Sequence, residues 1–161
     1  MAKRARVVPP ADIVFSTDGC ERVNRNPKFA VADGDKTVII DNPQRHKLCA
    51  TQIDGCAIKD GIRADWAVSR EGVGHVIIEF KGHDLEKAYS QIDRTAAIWR
   101  ENKLKRPERM AALILCNRIP KAPKSSDLQL KYLKTHRGQL TVQSHYDGIS
   151  FEFQKLLEGD A

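Results

Sequence analysis

Residues 47–82 read KLCATQIDGCAIKDGIRADWAVSREGVGHVIIEFKG, and how this stretch is divided decides the fold. Its β-branched and apolar runs predict strands near 48–58, 62–69 and 74–81. The turn KDG joins the first two, and REGVG joins the second and third. Connections this short link antiparallel neighbours, so the expectation is a three-stranded meander.

Beyond Gly82 the hydrophobic period changes. DLEKAYSQIDRTAAIWRENK (84–103) places Leu85, Ala88, Ile92, Ala96 and Trp99 on one stripe, as an amphipathic helix does. Asp84 is the expected N-cap, and the basic KLKR suits the C-terminal end of the dipole. MAALILC (110–116) reads as a buried strand, with Cys116 a small core residue. SSDLQLKYLKTH reads as a second helix, capped by Ser125 or Ser126 and closed by Gly138. QLTVQSH and GISFEF read as strands around the turn YDG. Upstream, KTVII (36–40) is a strand, ADIVF a short strand candidate, and STDGCERVNRNPKF turn-rich without a clear assignment. The order is β-β-β-α-β-α-β-β. The fold class expected is α/β, a single mixed β-sheet with flanking helices.

The chain has 161 residues, which suits one domain (1–161) with a sizeable core, preceded by a loose basic arm at 1–11. No apolar run approaches the roughly 20 residues that span a bilayer. The basic start lacks the apolar region of a secretory signal, so the expected address is cytoplasmic. The four cysteines, Cys20, Cys49, Cys56 and Cys116, are too scattered for a disulfide scaffold. Cys49 and Cys56, with His46 nearby, are candidate metal ligands, but their spacing is not that of a zinc knuckle. The formal charge is +6, and it is unevenly placed. Arg94–Arg137 holds 12 Lys/Arg against Glu101, Glu108 and Asp127. Clustered cations suit a polyanion, because they release counterions condensed on phosphates. A solvated basic helix face is the alternative.

Strand alternation sends Val76, Ile78 and Phe80 to the core and Ile77, Glu79 and Lys81 the other way. In IRADWAV, Ala64, Trp66 and Val68 are the apolar set, so Asp65 faces as Glu79 does. The antiparallel connection brings Asp65 opposite or diagonal to Glu79. Two adjacent carboxylates repel, and a divalent cation relieves that repulsion. Oxygen-only ligation suits Mg²⁺ or Mn²⁺, with Lys81 beside it to orient water or neutralise charge on phosphorus. The plainer alternative is a Glu79–Lys81 ion pair at a strand end.

An aspartate, a turn, then Glu-x-Lys on the next strand resembles the PD-(D/E)xK nuclease superfamily, with its restriction-endonuclease-like core of β-meander, helix and strand. The resemblance covers residues 48–116, and Gln91 in AYSQI is similar to a glutamine carried there by RecB-like and Holliday-junction-resolvase-like branches. It implies that Asp65 and Glu79 hold the metal with the Phe80 carbonyl. Lys81 would be the catalytic lysine, and Gln91 would help orient the lysine or the attacking water. The implied reaction is metal-dependent phosphodiester hydrolysis, on DNA before RNA, with a homodimer favoured for cutting a duplex. Ala64 stands where the family has proline. The further upstream acid has three candidates, Glu21, Asp41 and Asp54. For the nucleic-acid backbone the expected contacts are Arg100, Lys103, Lys105, Arg106, Lys121 and Lys124. The competing reading keeps the fold without turnover, as a nucleic-acid-binding or protein-interaction module.

Other features are expected to be structural. EGVGH lacks the βαβ setting of a dinucleotide site. His75 and His83 bracket the motif strand, where surface histidines are common. Trp66 and Trp99 are expected in the core. Ser/His/Asp catalysis would need neighbours that the pattern does not supply.

Overall fold

The computed structural model describes residues 15–80, 84–104, 106–118 and 124–159. The expected basic arm, Lys81, His83, Lys105 and Lys121 lie outside them. Five strands precede the motif strand: β1 (Glu21–Asn24), β2 (Lys28–Asp33), β3 (Lys36–Asp41), β4 (Leu48–Gln52) and β5 (Trp66–Arg70). Then come β6 (Gly74–Phe80), α1 (Leu85–Lys103), β7 (Arg109–Cys116), α2 (Ser125–His136), β8 (Leu140–Ser144), β9 (Ser150–Glu152) and α3 (Phe153–Glu158).

The architecture is α/β, but with two sheets where the sequence suggested one. A six-stranded sheet has the order β1-β4-β5-β6-β7-β8, and β2-β3-β9 form a second sheet of three. Strands β4, β5 and β6 are the expected antiparallel meander. Strand β7 returns parallel to β6 after α1, and β8 parallel to β7 after α2.

The second sheet comes from the segment left unassigned. Phe29 and Val31 of β2 and Val38 and Ile40 of β3 are buried at strand spacing, and Asp33 pairs Lys36 across a two-residue turn with Gly34 at φ 63°. The final strand is also shorter than expected. GISFEF extends only to Glu152, after which Phe153, Leu156 and Leu157 are buried at helical spacing in α3.

The two faces of the large sheet carry separate cores. Ala67, Ile77, Ala112 and Ile114 meet Ile92, Ala96 and Trp99 of α1 on one face. Val68, Val76, Ile78, Phe80 and Leu113 meet the small sheet and α3 on the other. All seven residues of β6 are therefore buried, and neither face is open as the alternation argument had assumed.

Asp84 caps α1 as expected, accepting from the Lys87 N–H at 3.0 Å. Helix α2 has no side-chain cap; Lys124 occupies the cap position in extended conformation. At its other end Arg137 takes the left-handed turn at φ 54°. Gly138 is needed for a different reason: a Cβ there would lie 1.9 Å from the Met110 carbonyl oxygen.

Cys20 and Cys56 form a disulfide with their Cα atoms 5.8 Å apart. That overturns Cys56 as a metal ligand beside Cys49. Such bridges persist in oxidising compartments and are rare in the cytosol, which pulls against the cytoplasmic address. Cys116 is buried as a free thiol. No helix among the described residues is long and apolar enough to cross a membrane.

Candidate active site

Asp65 immediately precedes β5, and its position is set by how the loop before it is anchored. Three side chains of α1 hold that loop. Gln91 Nε2 donates to the Arg63 carbonyl at 3.0 Å, Arg94 donates to the carbonyls of Asp60 and Ile62, and the Thr95 hydroxyl accepts from the Ala64 N–H at 2.7 Å. On the other side, the amides of Ile53 and Asp54 donate to the Asp65 carbonyl at 2.9 and 3.4 Å. The Asp65 N–H donates to Ile78 at 3.1 Å, continuing the β5–β6 ladder by one residue.

Because Trp66 pairs Ile78, this extra residue lies opposite Glu79. Asp65 and Glu79 share the α1 face with Ala67 and Ile77, and Glu79 lies close enough to act on the Asp65 carboxyl. Asp65 Oδ2 accepts from the Phe80 N–H at 2.9 Å. The expected convergence of the two carboxyl groups is therefore present. Burial pushes the Asp65 carboxyl up from its ordinary value, opposed by the bonds from Phe80 and Glu79 and reinforced by the charges of Asp33 and Asp54.

The pair is less open than the sequence suggested: Asp65 is 8% exposed and Glu79 2%. Phe80 joins the site through its N–H, while its ring packs in the second core beside Tyr146. Gln91 anchors the Asp65 loop through Nε2, and its buried Oε1 has no hydrogen-bond partner among the described residues.

Of the three upstream acids, only Asp54 approaches Asp65; its carboxylate accepts from Arg63 Nε at 2.8 Å. Asp41 is engaged with Lys28 and Ser150 on the small sheet, and Glu21 with Lys103. A fourth acid, Asp33, was missed. The end of β2 is brought beside the site by Trp66, half-buried, whose Nε1 donates to the Ala32 carbonyl at 2.9 Å. Strand order in a second sheet is what places it there, and no local pattern signals that.

The cations divide between the two ends of the sheet. Helix α1 starts beyond Phe80 and returns so that β7 begins with Arg109 opposite Gly74. Arg100, Lys103 and Arg106 are therefore at the end away from Asp65 and Glu79. Lys103 pairs with Glu21 at 3.2 Å, and Arg100 donates to His136 at 2.8 Å. Lys124, following the C-terminal end of β7, is on the Asp65 end.

His75 is not a surface residue. It is 5% exposed, with its ring nitrogens bound to Ser69 Oγ at 2.7 Å and Glu108 Oε2 at 2.5 Å. The neighbours for a Ser/His/acid arrangement are present after all, on a cavity of about 620 Å³. Its proton positions follow from Trp99, whose Nε1–H can only donate and lies 3.1 Å from His75 Nδ1. Nδ1 is therefore the acceptor, and Nε2 carries the proton given to Glu108. A proton taken from Ser69 would arrive at Nδ1 facing the indole N–H. Burial also holds the imidazole below its ordinary value despite Glu108. Both effects make His75 a poor proton acceptor, and the cluster reads as a satisfied buried network.

No family model matches the chain, and neither does any curated protein or solved structure.

Proposed function

We propose that this chain is a metal-dependent nuclease with a restriction-endonuclease-like core, hydrolysing phosphodiester bonds in DNA. The observation that carries the reading is the meeting of Asp65 and Glu79 across β5 and β6, at the end of the strand that leads to Lys81. The surrounding order, an antiparallel meander, a helix and a parallel strand, supports it.

The donor set fits a hard divalent cation. Asp65 and Glu79 offer only oxygen, and two carboxylates set opposite each other repel unless a positive charge stands between them. Mg²⁺ binds through one or two carboxylates and otherwise keeps water or phosphate oxygens. Asp65 and Glu79 would hold it, and when bound it would supply Lewis-acid stabilisation of charge on phosphorus. Asp65 is presented by the α1-anchored loop, and the Phe80 N–H fixes which of its oxygens is committed. Lys81 is assigned the stabilising cation beside phosphate, on sequence grounds. Cutting both strands of a duplex would take a second copy of the site.

One observation favours the competing reading of a silent binding or interaction module: a carboxylate 2% exposed is closed to a phosphodiester in this structure. Cleavage of end-labelled single- and double-stranded DNA with Mg²⁺ or Mn²⁺ separates the two. Wild type should cleave, and Lys81→Ala and Asp65→Asn should lose the activity. Salt-sensitive DNA binding without cleavage by any of the three proteins would establish the silent module.

A further inference from the structure

At the end of the sheet away from Asp65 and Glu79, a cleft of about 710 Å³ lies between the last turns of α1 and α2, the β5–β6 turn and the loop into β7. Arg100, Arg106, Arg109 and Arg137 line it, all exposed. Among the described residues none of the four is in an ion pair. Arg100 spends one hydrogen bond on His136, whose other nitrogen is bound to Asp93 at 2.7 Å, so the two helices are tied together beneath the cleft.

Cations at helix C-termini ordinarily compensate the dipole, and that is the first account to test. Each C-terminus supplies about half a negative charge, and α1 and α2 both end here. The one acid in the lining, Glu108, is committed to His75. Four guanidiniums against two half-charges, Glu108 and the Asp93 carboxylate beneath the cleft leave an excess of about one positive charge. Dipole compensation does not absorb it. Guanidiniums from four separate elements around an open cleft present forked donors in several directions, which suits successive phosphates better than one compact anion.

We infer that this cleft binds the phosphate backbone of a nucleic-acid strand, as an anchoring site separate from the carboxyl pair. The choice of nucleic acid as the phosphate source rests on the nuclease reading. The seven residues of β6 put the two sites about 20 Å apart at about 3.3 Å per residue. A strand held in the cleft and cut at Asp65 and Glu79 would therefore extend over about six phosphates at the stacked spacing of about 3.4 Å each.

The test is fluorescence anisotropy of a labelled 20-nucleotide DNA strand and of its duplex, in EDTA so that cleavage plays no part. Arg106→Ala/Arg109→Ala should bind at least about tenfold more weakly than wild type at low salt. Its log–log salt slope should fall by about 1.4 for the strand or about 1.8 for the duplex, two phosphates' worth. Lys28→Ala/Lys155→Ala, which removes equal charge on the small-sheet side, should change neither comparably. Equal weakening in both double variants, or none in the arginine variant, overturns the site. No DNA binding by wild type also overturns it. Inorganic tripolyphosphate binding as tightly as the 20-mer overturns the strand as ligand. A wild type that binds as stated but never cleaves with Mg²⁺ refutes the nuclease and leaves the cleft standing.

Discussion

Replacing both bridged cysteines, Cys20→Ser with Cys56→Ser, should weaken the fold substantially and loosen the candidate site first. The bridge joins positions 36 residues apart. For a loop of that length the chain-entropy relation gives about 13 cal/mol/K, or about 3.8 kcal/mol at 25 °C. Against a domain stability of about 5–15 kcal/mol, that is a quarter or more of the total. With a urea m-value of about 2 kcal/mol/M, the unfolding midpoint should fall by about 2 M. Trp66 and Trp99 sit in different surroundings and make intrinsic fluorescence a usable probe. Thiol titration of the denatured, unreduced wild type should find the two free cysteines, Cys49 and Cys116, rather than four.

The local consequence follows from the hydrogen bonds. Cys56 lies in the loop whose Ile53 and Asp54 amides donate to the Asp65 carbonyl, and the Cys20 carbonyl accepts from the Gln52 N–H at 2.9 Å. Cutting the bridge frees that loop from its anchor. Amide exchange at 53 and 54 should therefore accelerate by more than exchange in β7, which lies on the far side of β6. A midpoint change below about 0.5 M, with four thiols titrating, would refute the bridge. The same small change with two thiols would refute the entropy argument, leaving the denatured chain already compact there.

Three further predictions concern the buried groups. Burial raises the Asp65 carboxyl, so between its unfolded value, 3.8, and its folded one the native state holds the extra proton. Wild-type stability measured against Asp65→Asn should thus fall as pH rises above 3.8, by at most about 1.4 kcal/mol per pH unit. Adding Mg²⁺ at pH 7 should stabilise wild type and leave Asp65→Asn unmoved in thermal melts. For His75 the sign is opposite: burial lowers it from 6.5, so its contribution is present above pH 6.5 and lost as pH falls below. Melts at pH 5 and 7.5 should show a larger drop for wild type than for His75→Gln. Gly138→Ala forces a methyl group onto the Met110 carbonyl and should cost about 3 kcal/mol in urea unfolding, near the upper end for overpacking.

The meander and the two long helices were legible because each rests on local information. Turn residues lie between 52 and 66 and between 70 and 74, and the period changes once, after Gly82. The carboxyl pair was legible for the same reason, since hairpin register carries Trp66 onto Ile78 and so Asp65 onto Glu79. What could not be read is what covers a face. Alternation separates Val76, Ile78 and Phe80 from Ile77 and Glu79 but does not say that the second set meets α1. The continuous run VII in β6 was the available sign, because a strand buried on both sides needs no alternation. The small sheet failed differently. Its strands β2 and β3 are local, but β9 joins them from more than 100 residues later, parallel to β3.

The basic segment shows what composition leaves open even when it counts charges correctly. Twelve cations between Arg94 and Arg137 look like one patch, and a patch invites assignment to the nearest motif. Topology forbids that. A helix that connects two parallel strands begins at the end of the first and finishes at the start of the second. The C-terminal cations of α1 and α2 are therefore carried to the end of the sheet where β6 and β7 begin, while Asp65 and Glu79 stay where β6 ends. Lys124, just before α2, and Arg94, which holds the loop before Asp65, remain on the carboxylate side. The crossover alone was enough to deduce this. A parallel pair inferred from strand–helix–strand places late-helix residues at the opposite end from late-strand residues, so the motif and the C-terminal cations of the helices belong to different ends. If one ligand uses both, it must be long enough to join them, and that requirement favours a strand over any single nucleotide.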